Sequence, residues 1–178
     1  MSDLWLRRAS SVFAAIGLAA ASFVLAPSVS DAAPGPPLSD LRLVSGGAAT
    51  VPHGRAFPYT VTLVNAGAGP TTAGQRVTFD GSMREQFAIA YIKVNNPAFS
   101  CAFENSAQIA IEPPHPLWAC VSTAPLAPGA SVTATFKVLA KATASPGAYL
   151  FDAFADSPNW IVESDEANNS SRKSVNVT

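Results

Sequence analysis

Short segments in which apolar and polar residues alternate run along the chain from Leu41 onward. In residues 57–65, Tyr59, Val61 and Leu63 share one face of an extended chain, and two threonines lie between them on the opposite face. A strand with one buried face has this period of two, whereas a helix repeats about every 3.6 residues. This segment therefore predicts a half-buried β-strand.

The same alternation recurs between proline, glycine and asparagine residues, which are typical of turns. The further predicted strands are residues 75–79, 88–94, 99–103, 117–121, 131–138, 148–156 and 174–177. Many short strands separated by turn residues indicate a β-sandwich or a β-barrel, and no segment after the N-terminus has the pattern of an amphipathic helix.

The first 32 residues have a different pattern. A positive pair, Arg7-Arg8, precedes an apolar stretch over residues 12–26, and the small residues Ser30-Asp31-Ala32 follow. This order predicts a helical, cleavable secretory signal peptide over residues 1–32. The apolar stretch is shorter than the roughly 20 residues that a membrane span requires, so an uncleaved anchor is the less favoured alternative.

Composition agrees with one exported domain. Charged residues make up 13% of the chain, about half of the usual share, and the net charge is -1. No basic excess is available for a nucleic-acid backbone, so we expect no nucleic-acid partner.

Residues 33–39 predict a Pro-rich linker and residues 40–178 a single domain. After cleavage we expect no membrane span, and a location outside the cell or in its envelope.

Cys101 and Cys120 are the only cysteines of the sequence. In an exported protein an isolated pair is most simply a disulfide, and two buried free thiols are the alternative. Closing a loop of this size stabilises the folded state by about 3 kcal/mol. Trp118 stands two residues before Cys120, and we expect it to pack against the bridge.

Residues 156–169, which we call the closing loop, read Asp-Ser-Pro-Asn-Trp-Ile-Val-Glu-Ser-Asp-Glu-Ala-Asn-Asn. This stretch resembles the closing hairpin of the CARDB family, a cell-adhesion-related β-sandwich domain of bacterial secreted proteins. Two earlier landmarks, Val64-Asn65-Ala-Gly67 and Leu126-Ala-Pro-Gly-Ala-Ser131, stand in the order found in that family. The segment from Cys101 to Cys120 is similar to a second group, the DUF11 surface-repeat domains.

Both groups have an Ig-like fold, and the resemblance covers residues 41–177. It implies an all-β, antiparallel Ig-like β-sandwich of about seven to nine strands. Together with the predicted export signal and the lack of a catalytic motif, it predicts a secreted, non-enzymatic module for binding or adhesion, whose partner would be an unidentified protein or carbohydrate at the cell surface. The sequence identifies no particular ligand.

The closing loop is rich in carboxylates and contains no Lys or Arg. The candidate ligands of a hard cation such as calcium are Asp156, Glu163, Asp165, Glu166 and Asn168. A calcium-stabilised structural or assembly domain of the cell envelope is therefore the alternative function. The simpler interpretation needs no cofactor, because Asp and Asn close turns and solvated carboxylates protect a sheet edge from aggregation.

Trp160 and Asn159 are candidate ligand contacts, because aromatic residues are enriched at recognition surfaces; Trp160 covering the end of the core is the equal alternative. We predict no catalytic residue. His53 and His115 stand in turns, and the HExxH and GxSxG motifs are absent from the sequence. A hydrolase built from scattered residues is the third hypothesis.

Overall fold

The computed structural model describes residues 35–105, 116–157 and 159–178, and within these ranges the chain is all-β. The signal-peptide helix predicted for residues 1–32 lies outside them, as does His115. The strands are β1 (Leu41–Gly47), β2 (Thr50–Val51), β3 (Ala56–Asn65), β4 (Val77–Ser82), β5 (Phe87–Val94), β6 (Ser100–Asn105), β7 (Pro116–Ser122), β8 (Ser131–Ala140), β9 (Gly147–Ala155) and β10 (Ser170–Val177).

These strands form two sheets, as the Ig-like sandwich prediction requires. One sheet has the order β1-β3-β8-β5, and the other has the order β2-β10-β9-β4-β7-β6. Neighbouring strands are antiparallel, except that the short β2 runs parallel to β10. The described residues hold no helix that is both long and apolar enough to cross a membrane.

The core lies between the two sheets and is built by the alternating strands. Tyr59, Val61 and Leu63 of β3 are at most 1% exposed, as their shared face predicts. Aromatic rings connect the sheets: Trp118 of β7 lies 4.6 Å from Phe136 of β8, measured between ring centroids. This sealed core makes the two sheets a scaffold for the loops at their ends.

The number of strands exceeds the predicted seven to nine by one, because β2 pairs through only two residues, Thr50 and Val51. A two-residue strand is too short to show a period in its sequence. Its pairing with β10 comes from tertiary structure.

Cys101 and Cys120 form the predicted disulfide, with an S–S distance of 2.03 Å. They face each other on β6 and β7, which are neighbours in one sheet. The bridge therefore lies within one sheet and does not join the two. Trp118 lies in the core, where its ring packs against Phe79 and Phe136.

Candidate functional site

The closing loop connects β9 to β10, two adjacent strands of the six-stranded sheet. Its base is closed by a hydrogen bond of 2.7 Å, which the main-chain N of Ala155 donates to the main-chain O of Asn169. Asp156 and Asn159 have φ angles of 41° and 56°. Asp and Asn tolerate this left-handed region better than most residues, which explains why the chain turns at these positions.

The closing loop is held against the segment that precedes β1. Strand β1 belongs to the four-stranded sheet, whereas the loop connects strands of the six-stranded sheet. Glu163 forms an isolated parallel bridge with Ser39, and Ser164 N donates to Ser39 O at 2.9 Å. Asn168 Nδ2 donates to Asp40 Oδ1 at 2.8 Å. These contacts tie the two sheets together at this end of the sandwich and hold the loop in place.

Glu163 is the most strongly perturbed carboxylate of the site. Its Oε2 accepts a hydrogen bond from Leu41 N, and its Oε1 accepts one from Asn169 Nδ2 at 3.0 Å. Burial raises the pKa of Glu163 to about 7 against the lowering effect of these two bonds, and the charges of Glu166 and Asp156 raise it further. Folding therefore disfavours the charged form of this carboxyl relative to the unfolded chain.

Asp156 is 1% exposed, and only one of its carboxylate oxygens is hydrogen-bonded. Oδ2 accepts a bond of 2.7 Å from Ile161 N, whereas Oδ1 is buried and has no partner among the described residues. Burial raises the pKa of Asp156 and the charge of Glu166 adds to this shift, while the main-chain N–H groups of Ile161 and Trp160 act against it. A buried acceptor without a donor costs free energy of folding, and binding of a ligand or a proton at Oδ1 would remove that cost.

Asn169 presents a second buried oxygen. Its Nδ2 donates to Glu163 Oε1 at 3.0 Å and to Glu166 Oε2 at 3.2 Å, while its Oδ1 has no partner within the described ranges. Asp156, Glu166 and Asn169 line a cavity of about 240 Å³ together with Asn159 and neighbouring residues. Oxygen atoms thus predominate among the polar groups around this cavity.

The structure places the other predicted cation ligands differently. Asp165 is exposed, and its Oδ1 accepts a hydrogen bond of 2.9 Å from Ala167 N, which closes a turn. Asn168 is bound to Asp40, and its Oδ1 is buried without a partner in the part of the chain that the structure describes. Within that same part, no three acidic, histidine or cysteine side chains are grouped closely enough to hold an ion by themselves.

Trp160 is 53% exposed, so it does not cover the core. Its neighbour Ile161 is 3% exposed and takes that place. The Trp160 ring lies 5.8 Å from Arg76 Cζ, and its main-chain O accepts a hydrogen bond of 3.4 Å from Gln75 Nε2. Asn159 and Val162 are exposed beside it, and we call Asn159, Trp160 and Val162 the contact face.

The supporting role of one polar residue at this end of the sandwich, Asn65, was not predicted from the sequence. It is fully buried at the end of β3, where its Oδ1 accepts from Asp40 N at 3.1 Å and its Nδ2 donates to Leu126 O at 2.8 Å. The signal was available, because residue 65 continues the inward positions 57, 59, 61 and 63 of the alternating strand. Asn65 therefore supports the segment on which the closing loop rests.

The described residues include one of the two histidines, His53, in the turn that precedes β3. Its main-chain N donates to Thr178 O at 3.0 Å, and its side chain is exposed. The carboxylate of Asp152, which lies just before the closing loop, pairs with Arg172 at 2.5 Å. It is therefore neutralised by Arg172 and is not one of the candidate cation ligands. The chemistry of the closing loop is thus that of oxygen ligands beside an exposed aromatic ring.

Comparison with known proteins gives a family and a fold. The CARDB family model matches residues 39–173. A CARDB domain from Pyrococcus furiosus, solved in complex with di-metal ions, has a TM-score of 0.50 at 19% identity over 79% of this chain and 90% of that chain. A cohesin module from a family 33 glycoside hydrolase of Clostridium perfringens has a TM-score of 0.55 at 11% identity over 80% and 98%. No curated protein matches the sequence.

Proposed function

The chain belongs to the CARDB family, and on that premise we propose that it is an exported, non-enzymatic binding module that assists adhesion at or outside the bacterial cell envelope. The observation that carries the proposal is the contact face. Trp160 is 53% and Val162 73% exposed on a loop whose alternate side chains are buried. The partner in this proposal is a protein or carbohydrate of the cell surface.

An exposed aromatic ring on a fixed loop suits recognition for two reasons. Its large apolar area gains free energy when a partner covers it. Because Ile161 and Glu163 hold the loop in place on either side, little conformational freedom remains to be lost on binding. The loops at one end of a β-sandwich are a common place for such contacts.

Export is part of this proposal. The predicted signal peptide over residues 1–32 would deliver the linker 33–39 and the domain 40–178 to the exterior. The Cys101–Cys120 disulfide supports this location, because such bridges persist in oxidising compartments. The exported protein should begin at Ala33, and N-terminal sequencing that finds Met1 on the secreted protein would contradict cleavage.

Binding of the labelled protein to cells of the producing organism tests the function. We expect saturable binding to the cell surface, weakened at least tenfold by Trp160→Ala. The control is Tyr91→Ala, because Tyr91 is equally exposed at 53% but lies on β5 of the other sheet. Absence of saturable binding, or equal loss in both variants, would contradict the proposal. So would hydrolase turnover that one Ser, Asp or His substitution abolishes.

A calcium-stabilised structural or assembly domain is the second candidate function. It is favoured by the buried oxygens Asp156 Oδ1, Asn168 Oδ1 and Asn169 Oδ1, which have no partners among the described residues. The metal-bound CARDB domain of Pyrococcus furiosus is a precedent within the family. In this case millimolar calcium should raise the midpoint of thermal unfolding and favour a defined oligomer in solution scattering. An unchanged midpoint would exclude this function.

A further inference from the structure

We propose that the closing loop binds one hard divalent cation of the calcium class through Asp156, Glu166 and Asn169, and that this cation holds the contact face in position. The statement about the contact face rests on the proposed binding function. The cation site itself stands on the geometry of three side chains around one cavity of about 240 Å³.

The orientation of the Asn169 amide is the first argument. Its nitrogen donates to both Glu163 Oε1 and Glu166 Oε2, at 3.0 Å and 3.2 Å. Turning the amide over would place its oxygen against the carboxylate of Glu166 and lose that bond, so the orientation that leaves the oxygen without a partner is favoured. A buried amide oxygen that faces no described donor is suited to a cation.

The second argument is the excess of negative charge. Asp156 and Glu166 lie close enough for the charge of Glu166 to raise the pKa of Asp156. In the described ranges the one side-chain ion pair joins Arg172 to Asp152, so it neutralises neither of these carboxylates. Of the two, Asp156 is buried and Glu166 is exposed, and a buried carboxylate is normally paired with a positive group or bound to a metal.

The type of cation follows from the donor atoms. All three proposed ligands offer oxygen, and no histidine or cysteine lines the cavity. Zinc favours nitrogen and sulfur in a tetrahedral site, whereas calcium accepts six to eight oxygens at about 2.3–2.6 Å in irregular geometry. Two carboxylates and one amide leave several positions for main-chain oxygens or water, and calcium tolerates such mixed sets better than magnesium does.

The link to the contact face runs through the two oxygens of Asp156. Oδ2 accepts the hydrogen bond from Ile161 N at 2.7 Å, while Oδ1 is left for the cation. Ile161 directly follows Trp160 and is buried, so Asp156 helps to fix the main chain that carries the ring. A cation that fixes Asp156 therefore orders the loop and lowers the entropic cost of binding a partner.

Isothermal titration of calcium chloride into the chelator-treated chain tests the site. We expect one site with a dissociation constant below 1 mM (on the order of extracellular calcium modules) and weaker binding of magnesium. Asp156→Asn and Glu166→Gln should each weaken calcium binding at least tenfold. Asp165→Asn is the matched control, because Asp165 is an exposed carboxylate of the same loop, and it should change the constant less than twofold.

Hydrogen exchange tests the link to the contact face. Calcium should slow exchange at least fivefold at the amide of Ile161 in the native chain and in Asp165→Asn, and should leave exchange unchanged in Asp156→Asn. Since Glu166 is exposed, Glu166→Gln keeps the test valid if Asp156→Asn does not fold.

The inference is overturned if the native chain takes up no calcium at millimolar concentration. Equal weakening by Asp165→Asn would also overturn it. Neither experiment includes a cell-surface partner, so failure of the cation site would not contradict the binding function. The cell-binding assay tests that function separately. Conversely, calcium binding by a chain that does not bind cells would disprove the binding function alone.

Discussion

The residue Glu163 joins the closing loop to the start of β1, and it does so with a carboxyl group that is only 7% exposed. One oxygen accepts from Leu41 N and the other from Asn169 Nδ2, so both sheets depend on this side chain. Because burial disfavours its charged form, the protonation of Glu163 should influence the stability of the whole fold.

We therefore predict that stability in the presence of a chelator falls as pH rises from about 4.5 to about 7. Over this range the unfolded chain has already lost the Glu163 proton, while the folded chain still binds it. Stabilisation is thus complete below the unfolded pKa and is lost by the folded pKa, at most about 3 kcal/mol from this residue. Asp80 and Asp156, whose pKa values burial also raises, act in the same direction.

Urea unfolding of the native chain and of Glu163→Gln at several pH values measures this effect. The substitution removes the titrating group, so the variant should lose less stability between pH 4.5 and pH 7 than the native chain does. Equal slopes in the two proteins, or a native chain that gains stability over this interval, would contradict the prediction.

Ile161 and Val162 allow a second test at the residue scale. Ile161 is 3% exposed and Val162 is 73% exposed, although they are adjacent and similar in chemistry. Ile161→Ala should lower the free energy of unfolding by about 2–4 kcal/mol through lost burial and a new cavity, and Val162→Ala by less than about 0.5 kcal/mol. Chemical denaturation compares them, and a cost for Val162→Ala equal to that of Ile161→Ala would place the wrong side chain in the core.

At the scale of elements, the strands β3 and β8 could be predicted because each has a strict period of two. Val132, Ala134 and Phe136 share the buried face of β8, and all three are fully buried. Such strands bury one face along their whole length, so the local sequence contains the necessary information. The family resemblance of the closing loop is likewise visible in the sequence, and the match over residues 39–173 confirms it.

The interior of the closing loop could not be predicted in the same way. Trp160, Ile161 and Val162 are all apolar, so no local pattern tells which of them faces the core. The contact between Ser39 and Glu163, residues far apart in sequence, decides it. The partnerless oxygens of Asp156 and Asn169 also depend on tertiary hydrogen bonds.

The disulfide is an element-scale feature, since it links the edge strand β6 to β7. Replacing Cys101 and Cys120 together by alanine should lower the free energy of unfolding by about 3 kcal/mol, because the unfolded chain regains the entropy of an open loop. Urea unfolding with and without a reducing agent gives the value for the native chain. A reduced protein as stable as the oxidised one would show that the bridge contributes nothing.

At the scale of the whole molecule, the two sheets act as a scaffold and the closing loop as the working part. The core residues of both sheets are buried, whereas Trp160 and Val162 stay exposed on a loop that both sheets hold. An end loop of fixed shape on a stable sandwich fits a module that presents one face to a partner. The central claim of this account is that the partner contacts that face.

Site-specific photocrosslinking on cells of the producing organism tests this claim most directly. The photoreactive residue p-benzoylphenylalanine is placed at Trp160 in one variant and at Tyr91, on the opposite sheet, in another. We predict a covalent adduct with a cell-surface component from position 160 and none from position 91. Adducts from position 91 alone, or equally from both positions, would contradict the claim.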